Sequence, residues 1–204
     1  MKLFRLKYKG LSASPKGEDR EKISDFFINS LIDYLRDEKL DVPTYLIAGQ
    51  LPEFAYGEHG KPYFKTDELS EIYFSLSHTK DFAGIAFAKS EIGFDCENVS
   101  SRNYSMERLK KIANRVFTAK EKDYCFDIST HADSNEVEKR FFEVWVAKEA
   151  YSKYTGTGFS AGFKNICTID IVGENIICRA TEEHKGDIIS YAICSDKSER
   201  INNA

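Results

Sequence analysis

The stretch Trp145-Val-Ala-Lys148-Glu149-Ala-Tyr-Ser-Lys153-Tyr-Thr-Gly156-Thr-Gly158 decides how the chain is read. As the end of a helix it places Trp145, Glu149 and Lys153 in one row, because residues four apart share a face about one turn, roughly 6 Å, apart. Upstream, Val137, Phe141, Val144 and Trp145 supply the buried side of the same helix. Gly156 and Gly158 stop it, since glycine takes a left-handed C-cap conformation without a Cβ clash. A carboxylate and an amine thus point the same way where core meets opening. The plain alternative is a solvated ion pair worth only about 0.3 to 0.5 kcal/mol, and the choice between the two rests on the remaining chain.

Moving outward, Ile72 to Leu76 reads as a strand running into Ser77-His78-Thr79, with Phe82 to Ala88 as its return and Ile92 to Glu97 as a third strand. Alternate residues of a strand share a side, so Asp95 and Glu97 project together about 7 Å apart at the backbone, with Cys96 turned away. Two such carboxylates about 4 Å apart repel by around 4 kcal/mol at an effective dielectric near 20, which calls for a positive charge between them. Magnesium, which takes one or two protein carboxylates plus phosphate oxygens and water, suits that role; an acid at an exposed strand end is the alternative. Further upstream, Gly57-Glu58-His59-Gly60-Lys61-Pro62 surrounds a lysine with glycines. The spacing is not that of a Walker loop, and a glycine-rich turn explains it equally well.

The N-terminal eight residues alternate as a strand does, and Asp19 to Lys39 repeats apolar residues at three and four residue steps, the pattern of an amphipathic helix. Between Arg102 and Lys122 lies a basic block in an acidic chain: Arg102, Arg108, Lys110, Lys111, Arg115, Lys120 and Lys122 against Glu107 and Glu121. Its apolar stripe and Ser105 predict a capped helix over residues 105–117, with a basic outer face that is either merely solvated or fit to dock an acidic partner. Thr118-x-x-Glu121 has the form of a capping box that opens another helix. Asp127 to Glu138 reads as a loop containing an exposed His131. Cys167 to Val172, Ile176 to Ala180 and Ile188 to Cys194 read as an antiparallel meander, and Asp196 to Ala204 as a frayed end.

Length and composition bound the classes. With 204 residues the chain suits one domain or two compact halves, and 42% apolar with 30% charged residues describes a soluble protein. There is no run of eighteen apolar residues, and the start alternates charged and apolar side chains instead of showing a signal core, so a cytoplasmic protein without a membrane segment is expected. Five scattered cysteines with no Cys-x-x-Cys pair argue for reduced thiols over disulfides or a zinc knuckle. A net charge of −4 gives no footprint for nucleic acid.

Taken in order, Gly60-Lys61-Pro62, Phe74-Ser-Leu-Ser77-His78-Thr79, Gly93-Phe94-Asp95-Cys96-Glu97, Phe117-Thr-Ala-Lys120-Glu121 and Trp145-x-x-Lys148-Glu149-Ala-x-x-Lys153-x-x-Gly156-x-Gly158 resemble the 4′-phosphopantetheinyl transferases of the Sfp type. The set spans roughly residues 57 to 163. Phe94 and Cys96 depart from the smaller or β-branched apolar residues usual at their positions, on the side of the strand away from the acids. The resemblance implies an α+β fold of two similar halves, residues 1–98 and 99–204, related by a pseudo-twofold with the active site in the cleft between them. It also implies transfer of the phosphopantetheine arm of coenzyme A to a serine of an acyl or peptidyl carrier protein, releasing adenosine 3′,5′-bisphosphate. Asp95, Glu97 and Glu149 would hold Mg2+; Lys153 would meet a phosphate oxygen; Lys61, Ser77, His78 and Lys148 would contact the coenzyme. Glu121 stands where the family suggests a general base, and the capping-box reading competes for it. A monomer that docks an acidic carrier through helix 105–117 completes the expectation. A magnesium-dependent phosphodiesterase and a carrier-binding module without catalysis are the competing classes.

Overall fold

The computed structural model describes residues 1–7, 11–12, 15–102, 104–127, 133–158, 162–171, 176–184, 186–196 and 202–203. They form an α+β architecture whose central helix is α5 (Ser134–Thr155). It begins earlier than the polar composition of residues 127–138 suggests, because the Asp133 carboxylate caps it by accepting from the Glu136 backbone N–H at 2.9 Å. His131 lies outside the described residues. Gly156 ends the helix in the left-handed region, φ 66°.

One sheet contains β1 (Lys2–Lys7), β4 (Tyr73–Thr79), β5 (Phe82–Ala88) and β9 (Asn202–Asn203) in the order β4-β5-β1-β9. Strand β9 falls in the stretch expected to fray, yet it pairs parallel to β1. Helix α1 (Glu18–Asp37) covers this sheet with Phe27, Leu31, Tyr34 and Leu35. Phe27 is the hub, its ring between 5.2 and 6.2 Å from those of Phe54, Phe64, Phe74 and Phe87. Phe54 and Phe64 come from a small hairpin, β2 (Phe54–Tyr56) and β3 (Pro62–Phe64), so the glycine-rich segment between them is a turn. Helix α2 (Thr44–Ile47) is one short turn beside α1.

The second sheet has the order β6-β8-β7, from β6 (Ile92–Asn98), β7 (Ile176–His184) and β8 (Asp187–Ser195), all antiparallel. Strand β6 therefore does not continue the β4–β5 ladder as third strand; its backbone pairs with β8 instead. A division at 98/99 separates it from that partner. It meets β4 through side chains. The Phe94 N–H donates to Ser75 Oγ at 2.8 Å and the Asn98 N–H to Thr79 Oγ1 at 3.3 Å, with Ser77 between them. Residues 75, 77 and 79 are buried and share one side of β4, as strand alternation requires.

Helix α5 lies on β6 and β8 through Val146, Ala147, Ala150, Ala192 and Cys194. Gly93 sets how close it lies, for a Cβ there would fall 1.9 Å from the Ala150 carbonyl oxygen. The unusual Phe94 is accommodated by another glycine: a Cβ on Gly84 would stand 2.4 Å from its ring. The segment expected as the first strand of the meander, Cys167 to Val172, contains turns at 168–171, preceded by a short 3-10 helix at Phe163–Asn165. Helices α3 (Met106–Val116) and α4 (Ala119–Phe126) precede α5, α3 capped by Ser105.

Candidate active site

Where the hairpin, α1, β4 and the end of α5 converge, a cavity of about 690 Å3 opens. Lys61, His78, Glu149 and Lys153 bring polarity to its wall, against Phe27, Phe54 and Phe74. Glu149 and Lys153 share a helix face, as their spacing predicts. Beside the cavity, buried Asp95 accepts from Lys153 Nζ and from Ser77 Oγ through the same oxygen, each at 2.8 Å. The structure thus joins residues of β4, β6 and α5 that are up to 76 positions apart in sequence (77 to 153).

Charge is unevenly compensated. Burial pulls Lys153 down, but the adjacent Asp95 outweighs it and leaves the ammonium above the usual lysine range. Glu97 is held by Arg102, whose Nε and Nη2 donate to its carboxylate at 3.0 to 3.2 Å. Burial, then the charges of Asp95 and Glu97, push Glu149 up to about 7 against the pull of Lys153. His78 is lowered, first by burial and then by Lys153, which favours its neutral form. Its Nδ1 is buried with no hydrogen-bond partner among the described residues.

Three predicted residues are engaged otherwise. Lys61 gives its ammonium hydrogens to Glu91 and to the carbonyls of Ile92, 3.2 Å, and Tyr154, 3.0 Å, clasping the hairpin to the end of α5. Lys148 does not line the cavity. Its side chain is 1% exposed and donates to the Phe163 and Ile166 carbonyls at 2.6 and 2.7 Å, while pairing with Glu121 at 2.9 Å. Glu121, 0% exposed, also accepts from the Thr118 and Thr168 backbone N–H groups and from Thr168 Oγ1, each at 2.8 Å. Of the two readings open for Glu121, the capping box is the one present, and both carboxylate oxygens are occupied away from the cavity.

No three metal-ligating side chains stand together ready-made among the described residues. The donor set nevertheless suits a hard divalent cation, for such ions take oxygen ligands and need only one or two from protein when phosphates supply others.

The model of the 4'-phosphopantetheinyl transferase superfamily matches residues 91–197, which is just over half the chain and includes β6 and α5. The chain belongs to this superfamily. It is 32% identical over 113 residues to the 4'-phosphopantetheinyl transferase AcpT of Salmonella typhimurium, covering 52% of this chain and 50% of the relative. The 4'-phosphopantetheinyl transferase gsp of Aneurinibacillus migulanus is 31% identical over 105 residues, 52% of this chain and 38% of its own. The L-aminoadipate-semialdehyde dehydrogenase-phosphopantetheinyl transferase of Candida glabrata is 26% identical over 145 residues, 70% of this chain and 53% of its own. The chain spans about half the length of the curated relatives it matches.

Sequence reasoning counts Arg102 only as part of a basic block and misses it as the partner of Glu97. The available signal is Asn98-Val-Ser-Ser101 after the strand, an asparagine followed by a short turn that can fold the chain back.

Proposed function

We propose that the chain transfers the 4′-phosphopantetheine arm of coenzyme A to a serine hydroxyl of an apo carrier protein, with Mg2+ and with release of adenosine 3′,5′-bisphosphate. The observation that carries this reading is the meeting of Asp95, Glu149 and Lys153 at a cavity roomy enough for an extended ligand. In the reaction the serine oxygen forms a bond to the phosphorus that bears the pantetheine arm. The bond from that phosphorus to the oxygen of the departing bisphosphate breaks, and the serine proton passes to a carboxylate of the site or to water. Negative charge spreads over the non-bridging oxygens, so alignment and neutralisation do most of the catalysis.

Lys153 is a cation on the cavity wall suited to a phosphate oxygen. His78 in its neutral form offers one N–H to the same group. Asp95 and Glu149 would hold Mg2+, with Glu97 as the third carboxylate; when bound, the ion would neutralise the diphosphate as a Lewis acid. Ser77 orients Asp95 through its hydroxyl. Glu121 is not the proton acceptor in this scheme, because its oxygens serve Lys148, Thr118 and Thr168.

The reading includes two similar α+β halves about a pseudo-twofold, with the site in their cleft. Two sheets, each packed on one long helix, support that part. It also includes a cytoplasmic, monomeric protein and an acidic carrier docked on α3, whose Arg108, Lys110, Lys111 and Arg115 are exposed. No helix among the described residues is long and apolar enough to cross a membrane.

Intact-protein mass spectrometry of apo carriers incubated with this chain, coenzyme A and Mg2+ is the test. The expected result is a gain of one phosphopantetheine arm, lost with EDTA and lost with Glu149→Gln. Coenzyme A binding with no gain on fatty-acid, polyketide or nonribosomal-peptide carriers would leave a binding module without catalysis.

A further inference from the structure

The hairpin that walls the cavity is fastened through Lys61. An ammonium has three hydrogens, and three acceptors take those of Lys61: the Glu91 carboxylate, the Ile92 carbonyl at 3.2 Å and the Tyr154 carbonyl at 3.0 Å. The Tyr154 carbonyl belongs to the last turn of α5, where the final four carbonyls have no partner within the helix and the helix dipole favours a cation. Ile92 opens β6 three residues before Asp95, and Tyr154 directly follows Lys153. One side chain therefore spans the hairpin and both elements that carry the site. The turn after α5 receives the hairpin closely: a Cβ on Gly156 would lie 3.5 Å from the Lys61 stem, and one on Gly158 3.8 Å from the His59 Cβ. The hairpin contributes Phe54, Tyr56, His59 and Pro62 to the cavity wall, so where it sits sets the shape of that wall. Glu91, by contrast, borders a second cavity of about 310 Å3 and is not among the residues that line the first.

Resting on the function proposed above, we infer that Lys61 is a positioning residue for coenzyme A: it sets the affinity of the cavity by fastening the hairpin to β6 and the end of α5, and not by touching the coenzyme. The family resemblance places this lysine on the ligand, whereas here the protein takes all three of its hydrogens. Glu91 and the two carbonyls hold Lys61, Lys61 holds the hairpin, and the hairpin presents the wall that the ligand meets. Loss of the clasp alters that wall without unfolding it, because Phe54 and Phe64 still anchor the hairpin in the core against Phe27.

The test compares coenzyme A affinity by calorimetry in the full chain, Lys61→Met and Glu91→Lys. Methionine keeps the apolar stem and removes the ammonium; lysine at position 91 sets a second ammonium against the first. Both variants should bind about fivefold or more weakly, the scale of coupling within one polar network. A direct contact of Lys61 with a coenzyme phosphate gives opposite signs instead, because Glu91→Lys frees the ammonium and adds positive charge for an anionic ligand. Tighter binding by Glu91→Lys would overturn the proposal. A covalent substitute separates the two roles further: His59→Cys with Gly158→Cys puts two Cβ atoms about 3.8 Å apart, the separation a disulfide needs. With that bond closed Lys61→Met should cost little affinity, and with it reduced the full loss should return. Both redox states carry the same substitutions, so any strain they bring cancels. An equal loss in the two states would overturn the clasp, since a disulfide cannot replace a missing phosphate contact. Hydrogen exchange of the amides of residues 54–64 without coenzyme should be faster in Lys61→Met, and unchanged exchange would also overturn it. If wild type takes up no coenzyme A, the proposed function falls and the coenzyme role with it, while the exchange rates still decide whether Lys61 fastens the hairpin.

Discussion

Glu149 carries the least compensated charge of the site, and its behaviour with pH follows. Its carboxyl is pushed up to about 7 in the fold against about 4.5 in an unstructured chain, so in that window the native state binds the extra proton. Stability from this group is fully present below about pH 4.5 and is lost as pH rises through about 7. Thermal melts of Glu149→Gln should therefore decline less than wild type between those limits, the two curves diverging by a few degrees. Parallel curves would show that Glu149 is not the group titrating there. At this scale the sequence discloses what depends on local spacing. The four-residue step from Glu149 to Lys153 and the two-residue step from Asp95 to Glu97 are readable without a fold. The partner of Lys148 is not, because Glu121 reaches it only once α4 and α5 are packed, and Lys61 meets Glu91 and Tyr154 only once the hairpin and the end of α5 come together.

Among the elements, the contact of α5 with β6 is the most demanding, and Gly93 permits it. Alanine there places a methyl group on a helix carbonyl that the i to i+4 ladder cannot release cheaply. Gly93→Ala should cost about 3 kcal/mol or more in urea unfolding, at the upper end for overpacking, and lower coenzyme affinity as Glu149 and Lys153 shift. A loss under about 1 kcal/mol would mean that the helix does not sit so close. Periodicity reveals α1, α3, α5 and the strands β4, β5 and β6. It fails at Cys167 to Val172, whose alternation mimics a strand. Just before it the carbonyls of Phe163 and Ile166 are taken by the Lys148 ammonium, and within it the Thr168 N–H donates to Glu121, side-chain partners that the segment's own residues do not reveal.

For the whole molecule, charge is the long-range quantity. A net −4 protein that exposes Arg108, Lys110, Lys111 and Arg115 on one helix presents a local positive field against an acidic background. Reversing Lys110 and Lys111 to glutamate should raise the apparent KM for carrier protein roughly tenfold at low salt and leave that for coenzyme A unchanged. Equal changes for both substrates would remove α3 from docking. The expected split into residues 1–98 and 99–204 follows the order of elements but not their pairing. Which edge a strand joins is a long-range choice that its own residues do not encode: β6 carries the acids of the first half on a backbone bonded to β8.

The return of β9 to β1 has a further meaning in terms of connectivity. The chain builds most of one sheet, leaves to build the other, and ends by adding a strand to the first. Among the described strands, no single cut in the chain can sort the two sheets into separate fragments. A break anywhere between β5 and β6 leaves β9 on the piece that holds the second sheet, and a break after β8 leaves both sheets on the first piece. The two sheets cannot be parted as modules.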